Sequence, residues 1–309
     1  MIRSILAALF SFVLGNSALA QCITYNTLTN GSNADATQVM GNFNSIVGCV
    51  RDKLTAARTY YVRTDGNDAC NGLTNAGGSS GACAFLTLQK AMDVAAALDL
   101  SIFSVTVNVG PGSYSGPLLL KSTVGGGTVS FIGNETTPSS VAVTSAGQTV
   151  LSLNALGAFV VAGFKLTSST SQDAFVGSGN VTLRNNLYAG SNNFRVYAAG
   201  PGVATLAGTN NQVSGGGLGL FLVDSLGKMS MNSAAFTFTT NVTYTSATVT
   251  ARFIGYLECA ATTFNLGAFT VTGPRYLITV NGAIVGTGGA AGFFPGSVAG
   301  ATATGGVYQ

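Results

Sequence analysis

The chain has 309 residues, of which 47% are hydrophobic and only 7% are charged, with a net charge of +3. This hydrophobic content excludes intrinsic disorder, and the thin spread of Lys and Arg argues against a nucleic-acid partner. His is absent, which excludes Ser-His-Asp and Cys-His catalysis and the usual zinc sites.

Residues 1–20 are predicted to be a secretory signal peptide. Arg3 supplies the positive charge, positions 5–15 are an apolar stretch, and the small-residue ending ALA precedes cleavage before Gln21. The apolar stretch is shorter than the roughly 20 residues that a membrane span needs, and no later window is long enough. We therefore expect a mature protein that is secreted, periplasmic or on the cell surface, without a membrane span.

Five cysteines in an exported chain predict disulfides. Cys70 and Cys83 flank a loop rich in Gly, Asn and Ser that has little else to hold it, so this pair is the first choice. A second pair, Cys22 with Cys49, would tie the N-terminus to the first helix. Cys259 is left over.

Residues 21–100 are predicted to form an N-terminal segment with two helices and a capping loop. Apolar residues recur at helical spacing from Ala36 to Arg58 and again from Thr87 to Leu98. The strand YYVRT and the turn-rich loop DGNDACNG lie between them. The second helix directly precedes the β-rich region, so we expect it to cover the open edge at the start of that region.

Residues 101–290 consist of short β-rich runs, such as FSVTVNV and GTVSFIG, separated by Gly, Ser and Asn. The later runs align on glycines 22, 23, 25 and 28 residues apart: Gly157, Gly179, Gly202, Gly227 and Gly255. Apolar residues stand two and four positions after every glycine: Phe159, Val181, Ala204, Met229 and Leu257, then Val161, Leu183, Leu206, Met231 and Cys259. A second strand in each coil would carry Tyr188, Phe236 and Phe264, a column that Asn211 interrupts.

This repeat predicts an all-β solenoid, a single-stranded right-handed parallel β-helix with an N-terminal helical cap and a C-terminal tail at 291–309. Aligned residues of stacked coils touch, so Cys259 would lie on Met231 as a small buried hydrophobe. The alternatives are chance recurrence and an antiparallel sandwich, neither of which predicts columns of equivalent residues.

The run YYVRTDGNDACNG followed by AFLTLQKAMDVAAAL resembles the opening of bacterial and phage right-handed β-helix proteins of the pectin-lyase-like class. TLTNGSNADATQVMGNFNSIV and FFPGSVAGATATGGVYQ are similar to the terminal segments of phage tail-fibre-like proteins. The class includes lyases, hydrolases, esterases and non-catalytic binders, so the resemblance implies the fold and leaves the activity open. Tail proteins do not normally carry a signal peptide, which favours a host-encoded, exported relative.

One cluster of charged residues follows from the alignment. Asp224 and Arg252 both lie three residues before their glycine, so they should be neighbours on adjacent coils, with Lys228 and Glu258 close by. As a catalytic site, Arg252 or Lys228 would be the base of a polysaccharide lyase, and Asp224 or Glu258 would help to hold a metal or a sugar acid. As a structural feature, the cluster is a cross-coil ion pair on a solvated face, the interpretation we favour.

The loop DGNDACNG gathers oxygen ligands and glycines, which makes Asp65 and Asp68 candidate calcium ligands. Its spacing differs from that of known calcium loops. We therefore favour a plain turn held by the disulfide between Cys70 and Cys83, and we predict no cofactor.

A stiff solenoid with an uncharged face rich in hydroxyl and amide groups is suited to hydrogen-bonding sugars at little ordering cost. The sequence therefore predicts an exported, non-catalytic β-helix protein that binds a polysaccharide or cell-surface glycan, as an adhesin or tail fibre does. One alternative is a polysaccharide lyase or hydrolase. Another is a structural, tail-like component, which predicts a homotrimer.

Overall fold

The computed structural model describes residues 36–49 and 52–309, with side chains in the first range for residues 36–44 only. The chain divides into two units after Asp52. Helix α1 of the first unit comprises Ala36–Cys49. The predicted signal peptide, 1–20, and the proposed pairing of Cys22 with Cys49 lie outside the described residues and side chains. No helix in the described part of the chain is long and apolar enough to cross a bilayer.

The prediction that α1 continues to Arg58 is wrong. Leu54 instead belongs to the second unit, where it is buried and its backbone N–H donates to the Asp99 carbonyl at 2.8 Å. Lys53 forms a parallel bridge with the same residue. Helical spacing alone does not distinguish an apolar residue on a helix from one that follows the helix and fills another core.

The second unit contains α2 (Leu88–Ala96), a 3₁₀ helix (Pro138–Ser140) and many short strands. In chain order the strands are β1 (Arg58–Val62), β2 (Val105–Val109), β3 (Gly112–Ser115), β4 (Leu118–Leu120), β5 (Thr128–Ile132), β6 (Val141–Ser145), β7 (Leu151–Ala162), β8 (Lys165–Ser168), β9 (Ala174–Arg184), β10 (Leu187–Tyr188), β11 (Phe194–Ala198), β12 (Val203–Ala207), β13 (Asn211–Val213), β14 (Gly219–Val223), β15 (Lys228–Ser230), β16 (Ala235–Phe238), β17 (Val242–Thr243), β18 (Val249–Ala251), β19 (Tyr256–Glu258), β20 (Thr263–Asn265), β21 (Val271–Thr272), β22 (Tyr276–Ile278), β23 (Ala283–Val285), β24 (Ala301–Thr302) and β25 (Val307–Tyr308).

These strands stack in parallel into an all-β solenoid of about eight turns with three faces. Face one contains β4, the first parts of β7 and β9, then β11, β14, β18, β22 and β24. Face two contains β1, β2, β5, the later parts of β7 and β9, then β12, β15, β19, β23 and β25. Face three contains β3, β6, β8, β10, β13, β16 and β20. Strands β17 and β21 form a small separate pair.

Matching residues of successive coils meet in the core, as the glycine alignment predicts. The first column pairs in register through Phe159, Val181, Ala204, Met229 and Leu257. Val161, Leu183 and Leu206 continue the next column, and Met231 and Cys259 are buried in the same core. Burial raises the pKa of the Cys259 thiol to about 12, with a smaller contribution from the charge of Glu258. Cys259 is therefore a core residue.

On face three the predicted column holds only in part. Phe236 and Phe264 pair in register and their rings stack with centroids 5.5 Å apart. The prediction that Tyr188 joins them is wrong, because it pairs with Val213 instead. Asn211 pairs with Phe236 and occupies that column as a buried amide. The turn before face three varies in length, so counting from the glycine loses the register there.

Helix α2 is the helical cap that the sequence predicts. It begins after Thr87, whose Oγ1 accepts a hydrogen bond from the Lys90 backbone N–H at 3.2 Å. Its buried side chains join the solenoid core and pack beside β1, β2 and β4: Leu88, Ala91, Met92 and Ala95. The first edge of the stack is thereby covered.

The parallel pairing extends beyond the predicted limits of 101–290. Strand β1 pairs with β2, so the coils begin at Arg58. Strands β24 and β25 continue faces one and two after residue 300. The expected tail, 291–309, also places Phe294, which is fully buried, against Phe264 with centroids 5.7 Å apart. At the C-terminal end the glycine repeat continues through Gly282 and Gly306, and the apolar residues two positions later, Ile284 and Tyr308, extend the first core column in register.

We expect Leu206→Ala to lower the free energy of unfolding by about 2–5 kcal/mol, because it opens a cavity in a continuous core. Urea unfolding followed by circular dichroism measures this loss. Leu156→Ala is the control, since that side chain is 72% exposed, and it should change the free energy by less than about 0.5 kcal/mol. Equal effects of the two variants would contradict the continuous column.

Candidate functional site

A column of outward-facing residues runs along face one, parallel to the solenoid axis. Its members pair in register from coil to coil: Ser152, Phe175, Tyr197, Leu222, Thr250 and Leu277. We call this column the outer ladder. Its residues alternate with core residues such as Val196 and Val249, which are fully buried, so period-two alternation points the ladder away from the core.

The outer ladder from Tyr197 to Leu277 forms the floor of a depression of about 380 Å³, here called the axial groove. Gln172, Asn193 and Ser246, which precede the strands, line one side, and Arg252 and Thr279, which follow the strands, line the other. Leu222 and Thr250 are only 4% and 2% exposed although they face outward. The flanking turns therefore rise above the strands and enclose the floor.

Thr250 provides a hydroxyl without a partner at the bottom of this groove. Its Oγ1 is buried and makes no hydrogen bond to the described residues. A buried polar group left unsatisfied costs about 1–3 kcal/mol, and such groups are usually paired. The Thr250 side chain lines the groove, so its covered hydroxyl becomes available to a molecule in the groove once the side chains over it shift.

Asp224 and Arg252 lie together, as the alignment predicts. Arg252 Nε donates to Asp224 Oδ2 at 2.9 Å, and the hydroxyls of Tyr197 and Ser225 donate to the same carboxylate at 3.3 and 2.9 Å. Burial, followed by the Asp224 charge, raises the pKa of Tyr197, so its phenol stays a proton donor. The carboxylate thus accepts from three side chains, while the Arg252 side chain remains 44% exposed, with its guanidinium 5.7 Å from the centroid of the Phe253 ring.

The remaining members of the predicted cluster are directed elsewhere. Lys228 lines a different depression, on face two, together with Tyr256. Glu258 pairs in register with Ser230, also on face two. The turn between face one and face two separates these residues from the axial groove. The sequence therefore located one ion pair correctly and grouped it with two residues on another face.

A buried ion pair that the sequence analysis missed lies beside the groove. Asp173 and Arg195 follow Gln172 and Phe194, and both are fully buried. Their closest atoms, Arg195 Nη1 and Asp173 Oδ2, are 3.6 Å apart. Because Ala174 pairs with Val196, the two charged residues lie level on adjacent coils. Their separation of 22 residues equals the first coil spacing, and this was the signal that could have found them.

The surroundings of this pair fix its geometry. Backbone N–H groups of Ser168 and Gly190 donate to the Asp173 carboxylate at 3.0 and 3.1 Å, and Arg195 Nη2 donates to the Asn193 carbonyl. A Cβ at Gly190 would collide with Arg195 Nη1. Burial raises the pKa of Asp173 to about 6 against the opposing effect of Arg195. Burial also lowers the pKa of Arg195.

The candidate calcium ligands have separate protein partners. Asp65 accepts from Arg63 Nε and Nη2 at 2.8 and 2.9 Å. Asp68 accepts from the backbone of Leu86 and from the backbone and hydroxyl of Thr87. Within residues 52–309, no group of three or more acidic or cysteine side chains is arranged to hold a metal ion.

The loop that contains these aspartates is held by the predicted disulfide between Cys70 and Cys83, with Cα atoms 5.2 Å apart. Through Asp68, the loop also bonds the residues at which α2 begins. These contacts give the loop a structural role at the capped end of the solenoid.

Comparisons with family models, with curated proteins and with solved structures returned no match. The similarity to pectin-lyase-like and tail-fibre-like proteins therefore stays a resemblance carried by the quoted segments. The function is therefore inferred from the geometry of the axial groove.

We expect the wild type to lose stability relative to Asp173→Asn as the pH rises from about 4 to about 6. The raised pKa of Asp173, about 6 against an ordinary value of 3.8, means that the folded state binds more protons than the unfolded state in this window. Stability then falls with rising pH, and the asparagine variant lacks this contribution. Urea unfolding of both proteins at several pH values measures the difference, and parallel curves would contradict a buried carboxyl at this position.

Proposed function

We propose that the protein is an exported, non-catalytic β-solenoid that binds a polysaccharide or cell-surface glycan in the axial groove. The observation that carries the proposal is the buried, unpartnered Thr250 hydroxyl at the groove floor. Export rests on the predicted signal peptide, 1–20.

The chemistry of the groove matches that of a sugar. Amides of Gln172 and Asn193 and the hydroxyls of Ser246 and Thr279 offer both donors and acceptors. The Tyr197 ring lies on the floor, where the C–H face of a sugar ring can pack against it, and the Phe175 ring of the preceding coil supports it with centroids 5.1 Å apart. Ligand sites commonly combine apolar walls with a few placed polar groups in this way.

The repeat of the solenoid also suits a repeating ligand. Coils advance by about 4.8 Å along the axis, a length similar to that which one pyranose ring adds to an extended glycan. A chain lying along the outer ladder would therefore meet equivalent positions on successive coils. Since stacked coils are stiff, little conformational entropy is lost on binding.

A lyase or hydrolase is the second candidate, because Arg252 lines the groove and is bonded to Asp224. A lyase needs a side chain that removes a proton, yet Arg252 donates Nε–H to Asp224 and guanidinium groups keep their protons in proteins. Glycoside hydrolysis uses two carboxylates about 5–9.5 Å apart. The described residues that line the groove include no Asp or Glu, and Glu258 lies on face two. This arrangement supports binding over catalysis.

We expect Thr250→Val to weaken glycan binding about tenfold while leaving the fold as stable as the wild type or more stable. The valine keeps the shape of the side chain and removes a buried hydroxyl that only the ligand would satisfy. A glycan array identifies the best-binding oligosaccharide, and isothermal titration then compares the variants.

Thr182→Val is the matched control, because Thr182 faces outward at an equivalent strand position on face two. It should leave affinity unchanged. Absence of binding across the array, or equal affinities of the two valine variants, would refute the groove as a glycan site. Release of unsaturated or reducing-end products, abolished by Arg252→Ala, would establish the enzyme instead.

A further inference from the structure

The buried pair of Asp173 and Arg195 is connected to the wall of the axial groove. Arg195 Nη2 donates a hydrogen bond to the backbone carbonyl of Asn193, and Asn193 lines the groove. Asp173 directly follows Gln172, which lines the same side of the groove. A change within the pair therefore reaches two wall residues, one through a hydrogen bond and the other through a peptide bond.

The two partners of the pair are held to different extents. Ser168 and Gly190 donate backbone N–H groups to the Asp173 carboxylate at 3.0 and 3.1 Å, so the backbone fixes this side chain. Arg195 Nε and Nη1 are buried and make no hydrogen bond to the described residues. Apart from the bond to Asn193, the buried guanidinium is therefore compensated by the charge of Asp173, with closest atoms 3.6 Å apart.

The other titratable groups that act on Asp173 keep one protonation state at mildly acidic pH. Burial raises the pKa of the Tyr188 and Tyr244 phenols, and the charge of Asp173 adds to this effect, so both stay neutral. The Arg195 guanidinium keeps its proton, as guanidinium groups in proteins do.

The groove itself has no acidic or histidine side chain to respond to pH. His is absent from the chain, and the described residues that line the groove include no Asp or Glu. Burial raises the pKa of Asp173 to about 6. We therefore expect a response of the groove between pH values of about 5 and 7 to come from Asp173.

Proton uptake by Asp173 removes the charge that compensates Arg195. A buried cation without a counter-charge is costly, so the guanidinium is driven towards water. The axial groove lies beside the pair. A movement of Arg195 towards the groove displaces Asn193, whose carbonyl accepts from Nη2.

We propose that the pair of Asp173 and Arg195 is a pH switch for the axial groove. With the Asp173 carboxylate ionised, Arg195 holds Asn193 in the wall and the groove binds its glycan. With the carboxyl neutral, the wall around Asn193 loosens and the glycan is released. This inference rests on the proposed glycan binding in the groove and adds its regulation.

The first experiment measures glycan affinity against pH, by isothermal titration of the full mature chain with the best-binding oligosaccharide of the array. The affinity of the wild type should fall about tenfold from about pH 7.5 to about pH 5. The midpoint should lie near the pKa of Asp173, about 6. An affinity that is independent of pH, or that rises on acidification, would overturn the switch and leave the proposed function intact.

Three variants assign the response to a residue. Asp173→Asn should bind with the low affinity of the acidified wild type at every pH in this range, because asparagine resembles the neutral carboxyl. Glu135→Gln is the matched control, since Glu135 pairs with Arg184 across coils and neither residue lines the groove. It should keep the wild-type profile. Asp224→Asn removes the carboxylate bonded to Arg252 and should retain the pH dependence. Its loss in Asp224→Asn together with its retention in Asp173→Asn would overturn the proposal.

Hydrogen exchange of the wild type without any glycan tests the wall directly. Peptides covering residues 190–196 should exchange about fivefold faster or more at about pH 5 than at about pH 7.5, after correction for intrinsic exchange rates. The peptide covering β12 is the control and should not change. Unchanged protection of residues 190–196 would overturn the switch. If no glycan on the array binds at either pH, the proposed function fails by itself, and hydrogen exchange still decides whether the pair moves the wall.

Discussion

The in-register parallel stacking of one coil on the next is the constraint from which the other features of this protein follow. Because each residue lies beside its counterpart one coil away, a side-chain type repeated at the coil period becomes a continuous column. Inward columns such as Val181 on Ala204 make the core, and outward columns make surfaces. The outer ladder of the axial groove is a column of this second kind.

The same stacking organises the few charges of the chain. Three of the four acidic residues after residue 100 pair with an arginine from a later coil: Glu135 with Arg184, Asp173 with Arg195, and Asp224 with Arg252. Each pair ties coils together through side chains, in addition to the strand hydrogen bonds. The pair at Asp173 is buried beside the groove, whereas in the pair at Asp224 the arginine lines the opposite wall. The polar part of the groove therefore consists of hydroxyl and amide groups together with the Arg252 guanidinium.

The sharp turns between faces one and two give the protein two distinct surfaces. Residues just before the turn, such as Arg252, line the axial groove, and residues at its tip, such as Ile254, line an exposed apolar depression on face two. Two positions along the chain therefore separate the polar groove from the apolar depression.

The sequence by itself determined the parallel solenoid, the cap at α2 and the contact of Asp224 with Arg252, because each follows from local periodicity or from a constant offset to the repeating glycine. It also determined the disulfide of Cys70 and Cys83, because these cysteines flank one loop rich in Gly, Asn and Ser. Only the tertiary structure decided which face a residue occupies. The glycine alignment grouped Lys228 with Asp224 and Tyr188 with Phe236. The length and the left-handed backbone of a turn decide which face the following residues occupy, and the residue types of the turn do not reveal either one. Thr250, Asp173 and Arg195 are likewise buried by the turns that flank their strands. The height of these turns depends on several stacked coils, so no single segment of the sequence predicts it.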